Sequence, residues 1–308
     1  VYKRQALMRD GFVLRLAPGT VVEAPIRLVF LTDRADMPIA VHPRNLIHLG
    51  DNAQATLVEI HRGLEGVEYF SNAVTEISVG AGARLHHYKL QDEGDQALHL
   101  ANSPVRLARD ATYDSFILSF GALLARNDIR AELAGPGIDC RLSGAYVAAG
   151  RQHMDTTTLI DHAVPDCRSR VTYKGALQGR GARTVWVGDV LIRHEATGTD
   201  TYELNRNLVL TDGARADSVP NLEIETGEIE GAGHASATGR FDDEQLFYLR
   251  SRGIPEEVAR RLVVRGFFAE LVQRIGVAQV EARLLAAIEH ELDAALAAAD
   301  AADSEQAP

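Results

Sequence analysis

The chain has 308 residues, with 32 Lys and Arg against 43 Asp and Glu, a formal net charge of −11. That acidic balance excludes nucleic acid and an anionic membrane as principal partners, because both are bound through basic surfaces. No run of about 18 apolar residues is present to cross a bilayer.

At the start, Val1–Asp10 carries Lys3, Arg4 and Arg9 with no apolar stretch behind them, so no signal peptide is expected and a cytoplasmic location is read. A first residue other than Met is read as a chain lacking an N-terminal part. From Gly11 to about Phe241 the texture is strand, turn, strand. Val13–Leu16, Ile26–Leu31 and Ala55–Ile60 are short, rich in branched aliphatic residues and bounded by Gly, Pro, Asn or Asp. Val185–Val187, Val190–Ile192 and Leu208–Leu210 read as further short strands.

Small turn clusters recur between them. Asp51-Asn52-Ala53, Gly80-Ala81-Gly82-Ala83, Arg109-Asp110-Ala111 and Gly135-Pro136-Gly137 each precede a strand, and steps from Ala53 through Ala83 and Ala111 to Gly137 are 30, 28 and 26 residues. Such a period is the mark of a solenoid, with each coil burying its inward side chains on its neighbours. Cys140 and Cys167, 27 residues apart, are expected as core thiols stacked one coil apart. Two cysteines are too few for a disulfide framework or a four-thiolate metal site.

Enzyme signatures are missing: no phosphate-cradling Gly-Lys-Ser/Thr loop, no Gly-x-Ser-x-Gly elbow and no His-Glu-x-x-His. A carbohydrate-active β-helix enzyme is the alternative the fold class leaves open. Among the histidines, His86 and His87 are adjacent in a strand and point to opposite faces. His42, His48, His61, His99, His153, His162 and His194 read as surface or satisfied core residues.

His234 has a distinctive setting. Asn221–Glu225 alternates as a strand with Leu222 and Ile224 inward, and Glu225, Glu228 and Glu230 extend an acidic side with no Lys or Arg between Arg215 and Arg240. Then comes Gly231-Ala232-Gly233-His234-Ala235-Ser236-Ala237, an imidazole among side chains small enough to admit another backbone or a bulky group. Imidazole beside carboxylate suits a borderline metal such as iron. After Phe241 the period becomes helical. Asp242-Asp243-Glu244 opens a helix that Gly253 stops; Pro255 suits the first position of a second, with Val258, Leu262, Val263, Phe267 and Leu271 on its apolar stripe to about Ile275. A third is expected from Val277, with Val280, Leu284, Leu285, Ile288 and Leu292 aligned. The whole reads as a mainly β protein, a β-helix core over 1–241 capped by a helical domain over 242–296, with a disordered tail at 297–308.

The stretch from Ser218, SVPNLEIETGEIEGAGHASATGRFDDEQLFYLRSRGI, followed by RRLVVRGFFAEL, resembles the SufB/SufD family of iron–sulfur cluster assembly proteins. The resemblance implies a right-handed parallel β-helix with helical ends, and a non-catalytic scaffold. It implies pairing with SufB through the β-helix cores, docking of the SufC ATPase on the helical domain, sulfide delivered by a sulfur carrier via SufB, and a nascent cluster held transiently where the two cores meet. With no Cys after Cys167, the chain resembles the SufD branch, with His234 at the cluster-binding position; Ala232 stands where some members carry a Cys. A SufB-like paralogue acting as a homodimer is the alternative. Glu225, Glu228 and Glu230 are secondary metal candidates, and Leu246, Phe247, Phe267, Phe268 and Leu271 are the expected SufC-docking residues.

Overall fold

A computed structural model describes residues 7–33, 37–240 and 243–278, with residues 281, 282, 285, 286 and 289 beyond them. The N-terminal coils contain β1 (Val13–Leu16), β2 (Ile26–Thr32), β3 (Ile39–Val41), β4 (Arg44–Leu49), β5 (Gln54–Gly63) and β6 (Tyr69–Val79). The middle contains β7 (Arg84–Glu93), β8 (Leu98–Leu107), β9 (Thr112–Gly121), β10 (Leu124–Leu133), β11 (Asp139–Ala149) and β12 (His153–His162). The last coils contain β13 (Arg168–Gln178), β14 (Arg183–Ile192), β15 (Asp200–Val209), β16 (Arg215–Ile224) and β17 (Gly231–Arg240). Two helices follow, α1 (Asp243–Ser251) and α2 (Glu256–Val272), then a 3-10 turn at Gln273–Ile275.

Alternate strands fall in different sheets. The first sheet runs β1-β4-β6-β8-β10-β12-β14-β16, with β3 also on β6; the second runs β17-β15-β13-β11-β9-β7-β5-β2. Every pairing is parallel, giving a mainly β solenoid of about 8 turns, as the recurring turn clusters predict. One line of turns explains the period. Asn52, Gly82, Asp110, Gly137, Asp166 and Gly198 all have positive φ between 57° and 76°. The Asn52, Gly82 and Asp110 N–H groups donate to the carbonyls of Ala81, Arg109 and Pro136 in the next coil at 2.8–2.9 Å, and Gly198 donates to Glu228 at 2.7 Å. Only Gly, Asn and Asp adopt that backbone readily, so their recurrence is a steric requirement of stacking.

Between the sheets, side chains line up in columns fixed by register. Leu142 stands on Val171, Val171 on Glu203, and Glu203 on His234. Ile47, Leu49, Leu57, Leu85, Leu107, Leu133 and Trp186 are among the fully buried members of the interior, each contributing about 1.5–3 kcal/mol of transfer free energy. Cys140 and Cys167 are both buried, but the register places Cys140 beside Ser169, so the thiols sit two positions out of step. The coil here advances 29 residues, not the 27 that separates them. Val185–Val187 and Val190–Ile192 are one strand, β14, with Gly188 inside it; the glycine marks a close approach and not a turn.

The helices lie along the flank of the solenoid instead of capping it. The outer face of the second sheet carries Tyr88, Phe116, Leu118, Phe120, Ala145, Val147 and Ala176, and α2 covers it with Val264, Phe268, Leu271, Val272 and Ile275. Tyr88 Oη donates to the Ile275 carbonyl at 2.6 Å, and Lys174 Nζ donates to the Phe267 carbonyl at 2.9 Å. Pro255 precedes the helix as its N-cap, one position before the expected one. The buried stripe is turned from the expected one: Val258 and Leu262 are exposed, whereas Ala259, Val264 and Phe268 are buried. Two apolar stripes run side by side on α2, and the one with alanine at its start fits closest to the sheet. Val277 and Leu285 join the same cluster, and Glu281 N–H donates to Val277. Val280, Leu284, Ile288 and Leu292 of the expected third helix, the boundary at Phe241 and Asp242, and the tail at 297–308 lie outside the described residues.

Candidate functional site

The solenoid ends in two open strands. β16 pairs only with β14 and β17 only with β15, so both last strands present a free edge, and no further coil covers the interior row among the described residues. Unpaired strand edges are templates for another chain.

His234 lies on this terminal coil. In β15 the buried residues are Thr201, Glu203, Asn205, Asn207 and Val209, and their register partners on β17 are Ala232, His234, Ser236, Thr238 and Arg240. Asn207 Nδ2 donates to Thr238 Oγ1 at 3.5 Å, which fixes that row as inward-facing. His234 therefore belongs to the interior row yet is exposed, because it is the last of its column. The run of small residues from Gly231 to Ala237 is thus part of an extended strand. On β16, Leu222 and Ile224 continue the inward row of Val190 and Ile192, as the alternation predicts.

Beneath His234 lies a group that sequence reasoning missed. Glu203 is 1% exposed, and neither carboxylate oxygen has a hydrogen-bond partner. Its side chain crosses the interior to β14, where a Cβ on Gly188 would stand 2.7 Å from Oε1 and 2.3 Å from the Trp186 ring. Gly188 is what makes room for both. Burial pushes the Glu203 carboxyl up to about 8, with Asp189 adding to the shift. The signal was hidden because Tyr202-Glu203-Leu204 alternates as though Tyr202 and Leu204 faced the core; the structure exposes Tyr202 instead.

Glu225, Glu228 and Glu230 are exposed in the connection from β16 to β17. Glu225 accepts the His194 N–H at 3.1 Å, and the Glu228 carbonyl and Glu230 N–H complete turn hydrogen bonds. Among the described residues no three His, Cys, Asp or Glu side chains converge as a metal site. Cys140 lies on β11, three strands from β17 in the same sheet.

Three buried histidines, His61, His87 and His99, form a polar knot in the N-terminal half. His61 and His87 hydrogen-bond the two oxygens of Glu59 at 2.6 and 3.0 Å. Lys89 Nζ donates to Asn127 at 2.9 Å and contacts His99, while His99 Nδ1 lies 2.8 Å from Glu93. Burial alone would raise the Glu59 and Glu93 carboxyls. Their partners prevail, holding Glu59 well below the ordinary range and Glu93 at about 2.

Of the residues expected to dock SufC, Leu246, Phe268 and Leu271 are buried within this chain. Phe268 and Leu271 are committed to the solenoid flank, so they present no surface. Phe267 is half-buried with Lys174 Nζ 5.2 Å from its ring centroid, and Phe247 is 74% exposed. Tyr248, Val258 and Leu262 are the other exposed large apolar side chains of the two helices.

Among the described residues the chain is thus a parallel β-solenoid whose last coil has two free strand edges and an exposed histidine on its interior row. The family model "SUF system FeS cluster assembly, SufBD core domain" matches residues 30–267, and the chain belongs to that family. It is 55% identical over 253 residues to an iron–sulfur cluster assembly SufBD family protein of Mycobacterium tuberculosis, covering 80% of this chain and 63% of the relative. The protein of Escherichia coli named iron–sulfur cluster assembly protein SufD is 32% identical over 251 residues, 82% of this chain and 59% of that protein. SufD of Bacillus subtilis is 27% identical over 291 residues, 93% and 65% of the two chains. The chain spans less than two thirds of the length of these relatives. No described helix is long and apolar enough to cross a membrane.

Proposed function

We propose that this chain is a SufD-type scaffold subunit that pairs with SufB through the open end of its solenoid and contributes His234 to a nascent iron–sulfur cluster. The observation that carries the reading is the exposed imidazole on an inward-facing row between two free strand edges. Strand pairing with a second solenoid end would extend both sheets and bring the partner's side chains over that row. A neutral imidazole ligates iron well, and SufB would supply thiolate and sulfide. Glu225, Glu228 and Glu230 would face this junction from the connecting loop and gather iron before it is bound.

Phe247, Tyr248, Val258 and Leu262 form the surface offered to the SufC ATPase, with Phe267 at its margin. Because α2 is seated on β7, β9, β11 and β13, a pull on the helices bears on the same sheet that ends in β17. ATP-driven closure of SufC would thereby strain the strand that holds His234.

His234→Ala is expected to co-purify with SufB and SufC as the native chain does, while cluster yield in cells falls sharply. An unchanged yield in the intact complex would remove His234 from the cluster site. Phe247→Asp is expected to abolish co-purification with SufC and leave circular dichroism unchanged, since the side chain supports nothing in the fold. Retained SufC binding would move the docking surface elsewhere.

A further inference from the structure

Buried glutamates in this chain are otherwise satisfied with care. Glu59 meets two histidines, and Glu93 meets His99, Tyr69 and Gln91. Glu203 is as deeply buried, and both its oxygens are without a partner. An unpaired buried carboxyl costs on the order of 1–3 kcal/mol or more, and a sequence able to pair Glu59 and Glu93 has the means to avoid it. The column offers an explanation: Glu203 stands directly below His234, in register and on the same face of adjacent parallel strands. Neighbouring strands lie about 4.8 Å apart. An ion on the His234 ring would therefore have the Glu203 side chain on its inner side, and among the described residues that carboxyl has no hydrogen-bond partner.

The geometry points to a two-residue divalent iron site at the open end of the solenoid, with the His234 imidazole as the outer ligand and the Glu203 carboxylate as the inner one. This rests on the reading of His234 as a cluster-site residue. It adds that the subunit itself receives iron before thiolate and sulfide arrive. Mixed nitrogen and oxygen ligation suits ferrous iron and leaves its remaining positions open for sulfur ligands. Gly188 is part of the site: without a side chain there, the Glu203 carboxylate has space to lie between Trp186 and the last coil. No electron transfer is involved; the ion exchanges bound water for the two side chains, and the buried Glu203 carboxyl releases its proton to solvent as the ion binds.

The test uses the full chain and Co(II) as a spectroscopic stand-in, titrated while the ring protons of labelled histidines are followed by nuclear magnetic resonance. Paramagnetic shifts at His234 are expected to saturate with one ion. Glu203→Gln, close in shape and unable to act as an anionic ligand, is expected to raise the apparent Kd at least tenfold, with far-ultraviolet circular dichroism unchanged. Gly188→Val, which fills the carboxylate's space, is expected to weaken binding similarly, and heat stability reports its fold. Equal affinity in native and Glu203→Gln chains, with His234→Ala abolishing binding, would overturn the role of Glu203 and leave that of His234 standing. Binding lost in Glu203→Gln but kept in His234→Ala would overturn the pair and the reading of His234 together. Failure of the native chain to shift its His234 signal at millimolar Co(II) would overturn the site.

Discussion

Phe268→Ala is expected to release both helices from the solenoid while the solenoid stays folded. The ring is fully buried among Phe116, Leu118, Phe120 and Val147 on the outer face of the second sheet, with Val264, Leu271 and Val272 beside it. Truncating such a phenylalanine costs about 3–5 kcal/mol, which shifts a docked-to-undocked ratio by roughly two to four orders of magnitude. α1 has 9 residues and α2 has 17, and helices of about this length are marginal in water without a packed face. Undocking should therefore melt them. Trypsin should cut at Arg260, Arg261 and Arg265 in the variant and spare them in the native chain, and the helical circular dichroism signal should fall without a change in the solenoid's melting. SufC association should be lost as a consequence, although Phe268 never reaches the surface. Protection of those arginines in the variant would mean that the helices are held by something other than this cluster. Phe247→Asp separates the two effects, because there the helices stay docked and only the exposed contact changes.

The solenoid was legible because its requirements are local and repeated. A left-handed turn residue every coil forces Gly, Asn or Asp at Asn52, Gly82, Asp110 and Gly137, and the strands between are rich in branched aliphatic residues. His234 stands out by composition, as an imidazole among Gly231, Ala232, Gly233 and Ala235, and the structure places it at the exposed end of an interior row. What escaped was set by three-dimensional context. Glu203 sits inward where the alternation with Tyr202 and Leu204 argues outward, because a solenoid interior tolerates polar residues when neighbouring coils satisfy or use them. The face of α2 was misjudged by about one residue because two apolar stripes adjoin, and only the shape of the sheet beneath selects between them. The histidine knot was invisible for the same reason. His61 lies on β5, His87 on β7 one coil further on, and His99 on β8 in the facing sheet, so the three meet only when the coils stack and the two sheets close over the interior.

Acid is expected to destabilise the chain well above the pH at which carboxylates ordinarily protonate. Burial holds His99 at about 4 against an ordinary value of 6.5, and His162 likewise at about 4. A proton then prefers the unfolded chain. The stability each neutral ring secures is complete above pH 6.5 and is lost as pH falls through 4, about 3 kcal/mol apiece. Glu93 acts in the same direction at lower pH: held at about 2, its contribution is whole above 4.5 and disappears toward 2. Around His99 the facing charges are Glu93 and Lys89 on β7 and His61 on β5, so protonation there disturbs the whole knot. His162 is simpler, with its Nε2 on Ser169 Oγ at 2.9 Å and Asp161 as the nearby charge. Urea titrations at pH 7 and pH 4.5 should show a net fall in the unfolding midpoint for the native chain: the two histidines lose stability over this window, and Glu203, raised to about 8 by burial, works the opposite way and offsets part of it. His162→Gln keeps a polar group toward Ser169 and carries no titrating proton, so the fall should shrink by roughly half of the histidine contribution. Coincident pH dependence in the two chains would mean that His162 is already solvated or charged in the fold. Hydrogen exchange at pH 5 should locate the first loss of protection in β5 to β8, where the knot lies, before the last coils that hold His234 begin to open.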